Sequence, residues 1–140
     1  DLDKIGGEAR DTSLQRQFWN DPQRLVEVAR RLNEVSSSIS GKESGIVIFT
    51  LGSEGTVVVG KDLTVDKFEK APESILTDQG LRVRSPQGGG NAFWSQILIG
   101  QNRGDQLNDT IPKAQITGLL STNQLGNGCA DPQHIKNTDI

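Results

Sequence analysis

The sequence predicts an α+β fold, in which an N-terminal helical hairpin precedes a small, mostly antiparallel twisted sheet. Two observations lead to this class. Apolar side chains recur at helical spacing between residues 22 and 35, and from about residue 41 valine, isoleucine, threonine and glycine dominate the chain. We therefore expect a helical lead-in over residues 1–40 and a β-rich module over residues 41–140.

The helix expected at residues 22–35 is the best defined element. Asp21 can cap free backbone N–H groups, and Pro22 suits the first helical position. One apolar stripe then follows the three- and four-residue spacing of a helix, and it consists of Leu25, Val28, Ala29, Leu32 and Val35. An earlier helix from about Glu8 to Trp19 is expected to pack against it as the other half of a hairpin.

Strand patterns begin after the predicted helices. Residues 46–51 and 56–60 are apolar and flank a Gly-Ser-Glu-Gly turn, which predicts a β-hairpin. Residues 65–69 are expected to begin a short helix, and residues 93–99 to form a further strand of the sheet. Residues 114–120 fit either a strand or a helix.

Three successive glycines, Gly88–Gly90, lie within the segment Ser85–Asn91. Glycine gives up much backbone entropy inside a regular element, so we expect a flexible loop here. Arg82, Arg84 and Arg103 flank this loop and supply cations. The loop is therefore expected to border an active or partner-binding surface.

Composition argues against several classes of function. The chain has 140 residues, a formal net charge of -3 and 4% aromatic residues, a balance that is unusual for proteins that bind nucleic acid unaided. Its apolar runs are far shorter than the ~20 residues of a membrane helix. We therefore expect no segment that spans a membrane.

The sequence contains few of the residues that metal sites and nucleotide sites need. The single cysteine, Cys129, and the single histidine, His134, are too few for a structural zinc site, which needs four ligands. Gly55–Lys61 has the glycine and lysine spacing of a P-loop, but Asp62 occupies the position of the hydroxyl residue that binds magnesium. The three valines in this segment also favour a strand over a phosphate-binding loop. We predict that the chain uses no metal and no cofactor, and that Cys129 is a packed thiol.

Residues Glu8–Val35 resemble the helical segments that precede toxin modules in very large bacterial two-partner-secretion effectors, the filamentous-haemagglutinin-like proteins of contact-dependent growth inhibition. A start without methionine agrees with a piece of a longer protein. The resemblance implies a secreted or cell-surface precursor whose terminal module is a toxin, commonly a nuclease that acts on tRNA, rRNA or DNA in the cytoplasm of a neighbouring cell. It also implies a cognate immunity protein and a small fold of the barnase, colicin or RelE type. In some members of this family a translation factor presents the tRNA.

Elimination and the resemblance together lead to the hypothesis of a metal-independent ribonuclease with tRNA as the expected substrate. Attack by the neighbouring 2'-hydroxyl needs only proton transfer and charge stabilisation. His134 is the one side chain that ordinarily titrates near neutrality, so it is the candidate general acid or base. The other candidate catalytic residues are Lys113, Lys136 and Arg103, and the candidate substrate-binding residues are Arg82, Arg84, Gly88, Gly89, Gly90, Asn102 and Thr117.

Two other classes of function stay open. An acidic composition suits a non-catalytic binding protein or an immunity-type protein, and glycine-rich β-structure suits the globular head of a surface fibre. A gene for a long secreted precursor with a small adjacent reading frame would separate the toxin from both alternatives.

Overall fold

The computed structural model describes residues 12–41, 45–84 and 87–123, and it confirms the α+β class with helices ahead of an antiparallel sheet. The elements in chain order are helices α1 (Thr12–Asn20) and α2 (Gln23–Ser40), strands β1 (Val47–Thr50), β2 (Gly55–Val59) and β3 (Val65–Glu69), and helices α3 (Ser74–Thr77), α4 (Gln87–Arg103) and α5 (Leu107–Ser121). The chain divides into two compact units, one up to Lys70 and one from Ala71. Helices α1 and α2 and the sheet belong to the first unit, and helices α3 to α5 belong to the second.

Helix α2 is present as predicted but is longer than the apolar pattern indicates. Pro22 is its N-cap and offers no side-chain cap, and the Asp21 carboxylate lies 3.2 Å from the Arg24 guanidinium instead of capping the helix. The helix ends at Gly41, which has a φ of 69° and donates its backbone N–H to the Ser37 carbonyl at 2.8 Å. Glycine suits this position because side chains strain the left-handed conformation.

Only part of the predicted apolar stripe of α2 faces the core. Leu25 and Ala29 are buried, but Val28, Leu32 and Val35 are 41%, 50% and 58% exposed. The third buried residue of the helix is the polar Asn33, which the apolar pattern did not include. Asn33 is satisfied because its amide exchanges two hydrogen bonds of 3.2 Å with the backbone of Gly45.

The sheet has the order β1-β2-β3, and both pairs are antiparallel. The predicted hairpin of residues 46–51 and 56–60 is therefore confirmed, with Val47 opposite Val59. The core of the first unit combines the sheet with both helices and contains Leu25, Leu51, Val57, Phe18, Trp19, Phe49 and Val65. Gly55 has a φ of 134°, and a side chain there would overlap the Phe68 carbonyl oxygen of β3. This turn requires glycine.

The prediction of a short helix at residues 65–69 is wrong. These residues form β3, with Val65 opposite Val59 and Phe68 opposite Thr56. Val65 and Phe68 are half-buried, whereas the residues between them are exposed. Pairing with the buried strand β2 outweighs the local preference of a short charged segment.

The turn between β2 and β3 contains an unusual backbone conformation. Leu63 has a φ of 63°, the one positive value at a non-glycine residue in the described parts of the chain. Beside it, the Asp62 carboxylate accepts hydrogen bonds from the hydroxyl (2.8 Å) and the backbone N–H (3.3 Å) of Thr64. These bonds lower the pKa of Asp62.

The predictions of a flexible loop at Ser85–Asn91 and of a strand at residues 93–99 are both wrong for their described residues. Helix α4 includes Gly88, Gly89 and Gly90 and continues to Arg103. Residues 93, 97 and 100 are buried at helical spacing. Packing against α5 stabilises this helix despite its glycines. Residues 114–120, which fitted either element, are helical within α5.

No helix in the described ranges combines the length and the apolar character that are needed to cross a membrane.

Candidate functional site

The beginning of helix α4 is the most distinctive site in the second unit. Its first four residues, Gln87–Gly90, are here called the glycine turn. The first four N–H groups of a helix have no partner within the helix, and the helix dipole makes this end positive. The glycine turn has no acidic side chain, and the residue before it in the sequence is a proline, which has no side-chain acceptor. This end of the helix is suited to an anion.

Two of the glycines in α4 and one in α5 have a structural role. A Cβ atom on Gly89 would lie 3.2 Å from the Gly118 carbonyl oxygen, and one on Gly118 would lie 2.9 Å from the Gly89 carbonyl oxygen. Nearer the other end of α4, a Cβ atom on Gly100 would lie 2.6 Å from Cγ2 of Thr110. The two antiparallel helices therefore pack closely, backbone against backbone at Gly89 and Gly118 and backbone against the Thr110 side chain at Gly100, and larger side chains would push them apart.

Gly90 has a different environment from these glycines. A Cβ atom added to it would meet no heavy atom within 4 Å, and its φ is not in the left-handed region. Neither packing nor conformation requires glycine here, although glycine is less favourable than alanine inside a helix by roughly 1 kcal/mol. The consequence is an open space that a ligand can enter close to the backbone.

Two predicted substrate-binding arginines lie beside the C-terminal end of α5. The backbone N–H of Arg84 donates to the Thr122 carbonyl at 2.7 Å, and that of Arg82 donates to Oδ1 of Asn123 at 3.4 Å. Cγ2 of Thr122 is also 3.3 Å from the position of a Cβ atom on Gly89. Thr122 thus links the backbone of Arg84 to the glycine turn, and both arginine side chains are exposed.

Asn123 was expected from the sequence among the polar residues that could hold a phosphodiester, but Thr122 was not. Nothing in the sequence around Thr122 indicates a site, because its role depends on the antiparallel pairing of α4 with α5. The helical spacing of Phe93, Ile97 and Gly100 was the signal that could have revealed this pairing.

Three of the remaining predicted residues, Asn102, Arg103 and Lys113, lie away from this group. Asn102 and Arg103 are in the last turn of α4, and Arg103 is thirteen residues from Gly90, or about 20 Å along the helix axis. Lys113 is exposed on α5 and lines a shallow groove of about 400 Å³ with Asp105 and Asp109.

Thr117 lies within α5 and is half-buried. Its carbonyl oxygen accepts a hydrogen bond of 2.9 Å from the Ser121 hydroxyl. His134, Lys136 and Cys129 are outside the described residues. The roles predicted for these three residues stay predictions.

Metal ligands do not cluster in the described part of the chain. No group of three or more His, Cys, Asp and Glu side chains is placed there so that it can hold a metal ion. The glycine turn itself offers a ligand its backbone N–H groups and the positive end of the helix dipole, and the exposed residues Arg82 and Arg84 precede it in the sequence.

No family model matches the chain, and no curated protein matches it either. Solved structures with a similar fold include two ribokinases. The ribokinase of Cryptococcus neoformans var. grubii serotype A, solved in complex with ADP, is 19% identical with a TM-score of 0.56. The ribokinase of Thermotoga maritima is 13% identical with a TM-score of 0.55. The similarity covers 66% and 77% of this chain but only 28% and 39% of the two ribokinases. At these identities the similarity shows a shared fold.

Proposed function

We propose that the chain is part of a ribokinase-like protein, and that the glycine turn binds the phosphate groups of a nucleotide with the help of Arg84. The observation that carries the proposal is the open start of α4 at Gly90, next to Gly89, which packs against Thr122, the residue whose carbonyl accepts the backbone N–H of Arg84. A diphosphate is attracted by exposed helix N–H groups and by guanidinium groups. One of the structurally similar ribokinases was solved with ADP, a ligand of this chemistry.

The proposal concerns phosphate binding at this site. A kinase also needs a group that accepts the proton of the attacking hydroxyl, and a carboxylate commonly has this role. The first turn of α4 contains no acidic residue. The residue that accepts the proton of the attacking hydroxyl is therefore expected outside the first turn of α4.

Calorimetric titration of the chain with ADP tests the proposal, with adenosine as the ligand that lacks phosphate. We expect ADP to bind more tightly than adenosine, because the glycine turn and Arg84 interact with the diphosphate. Hydrogen bonds to charged groups contribute about 1.5–3 kcal/mol, so Arg84→Gln should weaken ADP binding roughly tenfold or more.

Arg31→Gln is the matched control for this titration. It removes the same charge from an exposed arginine of α2, in the first unit. Its ADP affinity should equal that of the wild-type chain. Equal affinity for ADP and adenosine, or equal losses in the two variants, would contradict phosphate binding at the glycine turn.

The ribonuclease hypothesis is the second proposal, and the same group of residues favours it. Arg82, Arg84 and the glycine turn suit an RNA phosphodiester as well as a nucleotide, since both are phosphate anions. In this proposal His134 transfers the proton, a cognate immunity protein is the partner, and the precursor is secreted.

Incubation of the chain with tRNA, followed by gel electrophoresis, separates the two proposals. The ribonuclease proposal expects cleavage that persists in EDTA and falls about 10²- to 10⁴-fold in His134→Ala, which removes the general acid or base. Intact tRNA with the wild-type chain would reject the ribonuclease proposal and leave ADP binding to be judged by calorimetry.

A further inference from the structure

Trp94 is an exposed aromatic residue one helical turn after the glycine turn. Gly90 and Trp94 are four residues apart in α4, and residues at this spacing lie on the same face of a helix. Long side chains in a helix lean toward its N-terminus, so Trp94 covers the turn that contains Gly90. The indole ring therefore borders the open space beside Gly90, where an added Cβ atom would meet no heavy atom within 4 Å.

The ring of Trp94 is held by a residue of the core. Phe93 is buried, and its ring meets that of Trp94 in a T-shaped contact with centroids 5.2 Å apart and ring planes at 90°. A contact of this kind uses an edge or one face of the indole. Trp94 itself is 41% exposed, so a planar group can pack against its other face. Because the ring is already held, little rotamer entropy is lost when such a group stacks on it.

The distance along α4 suits a nucleotide. Trp94 is seven residues after Gln87, the first residue of the glycine turn, which corresponds to about 10 Å along the helix axis. An extended nucleoside diphosphate has a similar distance between its terminal phosphate and its base. A molecule whose diphosphate lies at the glycine turn can therefore place its base beside Trp94.

We propose that Trp94 stacks on the base of the nucleotide whose phosphates bind at the glycine turn. The inference rests on the proposed function and adds to it a residue that recognises the base. Stacking on an aromatic side chain needs no hydrogen bond to the edge of the base, because every base has a π-face. The glycine turn thus attracts the phosphates, and Trp94 holds the base.

Calorimetric titration with ADP and with pyrophosphate, which has the diphosphate but no base, tests the proposal. Trp94→Ala should weaken ADP binding about tenfold, because the stacking is lost, and should leave pyrophosphate binding unchanged. Leu98→Ala is the matched control, since Leu98 is 61% exposed on the same face of α4 but one turn farther from the glycine turn. Its affinity for both ligands should equal that of the wild-type chain.

Tryptophan fluorescence provides a second measurement that does not depend on the folding of Trp94→Ala. The chain has two tryptophans, Trp19 and Trp94, and a base that stacks on an indole ring quenches its emission. ADP, but not pyrophosphate, should quench the emission of the wild-type chain. Trp94→Phe should lose this quenching and keep most of the ADP affinity, since a phenyl ring can still stack on the base. Circular dichroism verifies that each variant is folded.

The outcomes separate this proposal from the one on which it rests. The stacking would be overturned, with the phosphate site intact, if pyrophosphate binds as tightly as ADP, if Trp94→Ala weakens both ligands equally, or if the quenching persists in Trp94→Phe. If neither ligand binds the wild-type chain, the phosphate site is overturned and the stacking with it.

Discussion

Replacing Gly90 with alanine should stabilise the fold and weaken the proposed nucleotide binding at the same time. Alanine is favoured over glycine inside a helix by roughly 0.8–1.0 kcal/mol. Gly90 is only the fourth residue of α4, where the gain is smaller, so we expect about 0.5 kcal/mol. No strain offsets this gain, because the added Cβ atom meets no heavy atom within 4 Å. The new methyl group occupies the open space beside the glycine turn and should reduce ADP affinity.

Gly118→Ala is the control for this change, since it makes the same substitution in the packed partner helix. Its Cβ atom would lie 2.9 Å from the Gly89 carbonyl oxygen, and overpacking of this kind costs about 1–3 kcal/mol. Urea unfolding followed by circular dichroism measures both free energies of unfolding, and calorimetry measures ADP binding. If Gly90→Ala is less stable than the wild-type chain, the fold itself requires this glycine. Unchanged ADP affinity would remove Gly90 from the proposed site.

Three further changes test the fold. Gly55→Ala places a methyl group against the backbone of β3 at a φ of 134°. It should lower the free energy of unfolding in urea by more than about 2 kcal/mol. An unfolding midpoint equal to that of the wild-type chain would refute this. Asn33→Ala removes both hydrogen bonds to Gly45 and should lower the free energy of unfolding by about 1–2 kcal/mol in the same assay. An unchanged free energy of unfolding would mean that water fully replaces these hydrogen bonds. The lowered pKa of Asp62 stabilises the fold above the ordinary carboxyl pKa, and this contribution is lost as the pH falls through the lowered value. The difference in melting temperature between wild type and Asp62→Asn should therefore shrink from neutral pH to about pH 3, and a constant difference would contradict the role of the Thr64 hydrogen bonds.

The elements that could be predicted from the sequence are those whose pattern is local. Helix α2 carries helical spacing over several turns, and the β1–β2 hairpin has two apolar runs around a glycine-containing turn. Burial within α2 was less predictable. Which side of an apolar helix faces the sheet depends on the partner, so Asn33 is buried while Val35 is exposed.

The first turn of α4 could not be predicted from its own residues, because three successive glycines disfavour a helix. The close approach of Gly89 to Gly118 explains why glycine is nevertheless present, and Gly118 is almost thirty residues away in the chain. The sequence led us to expect Arg84 and the glycines at one surface, and their role in binding stays a prediction. Their common anchor at Thr122 depends on the same long-range pairing and has no local signal.

The two close approaches between α4 and α5 also affect how this helical pair opens. Gly89 meets Gly118 near one end of the pair, and Gly100 meets Thr110 near the other. Close packing at both ends leaves little room for one helix to separate over part of its length. The amide protons of the two helices should therefore exchange with solvent in a single cooperative event. An anion held at the start of α4 would then slow exchange along α5 as well, including turns that it does not touch.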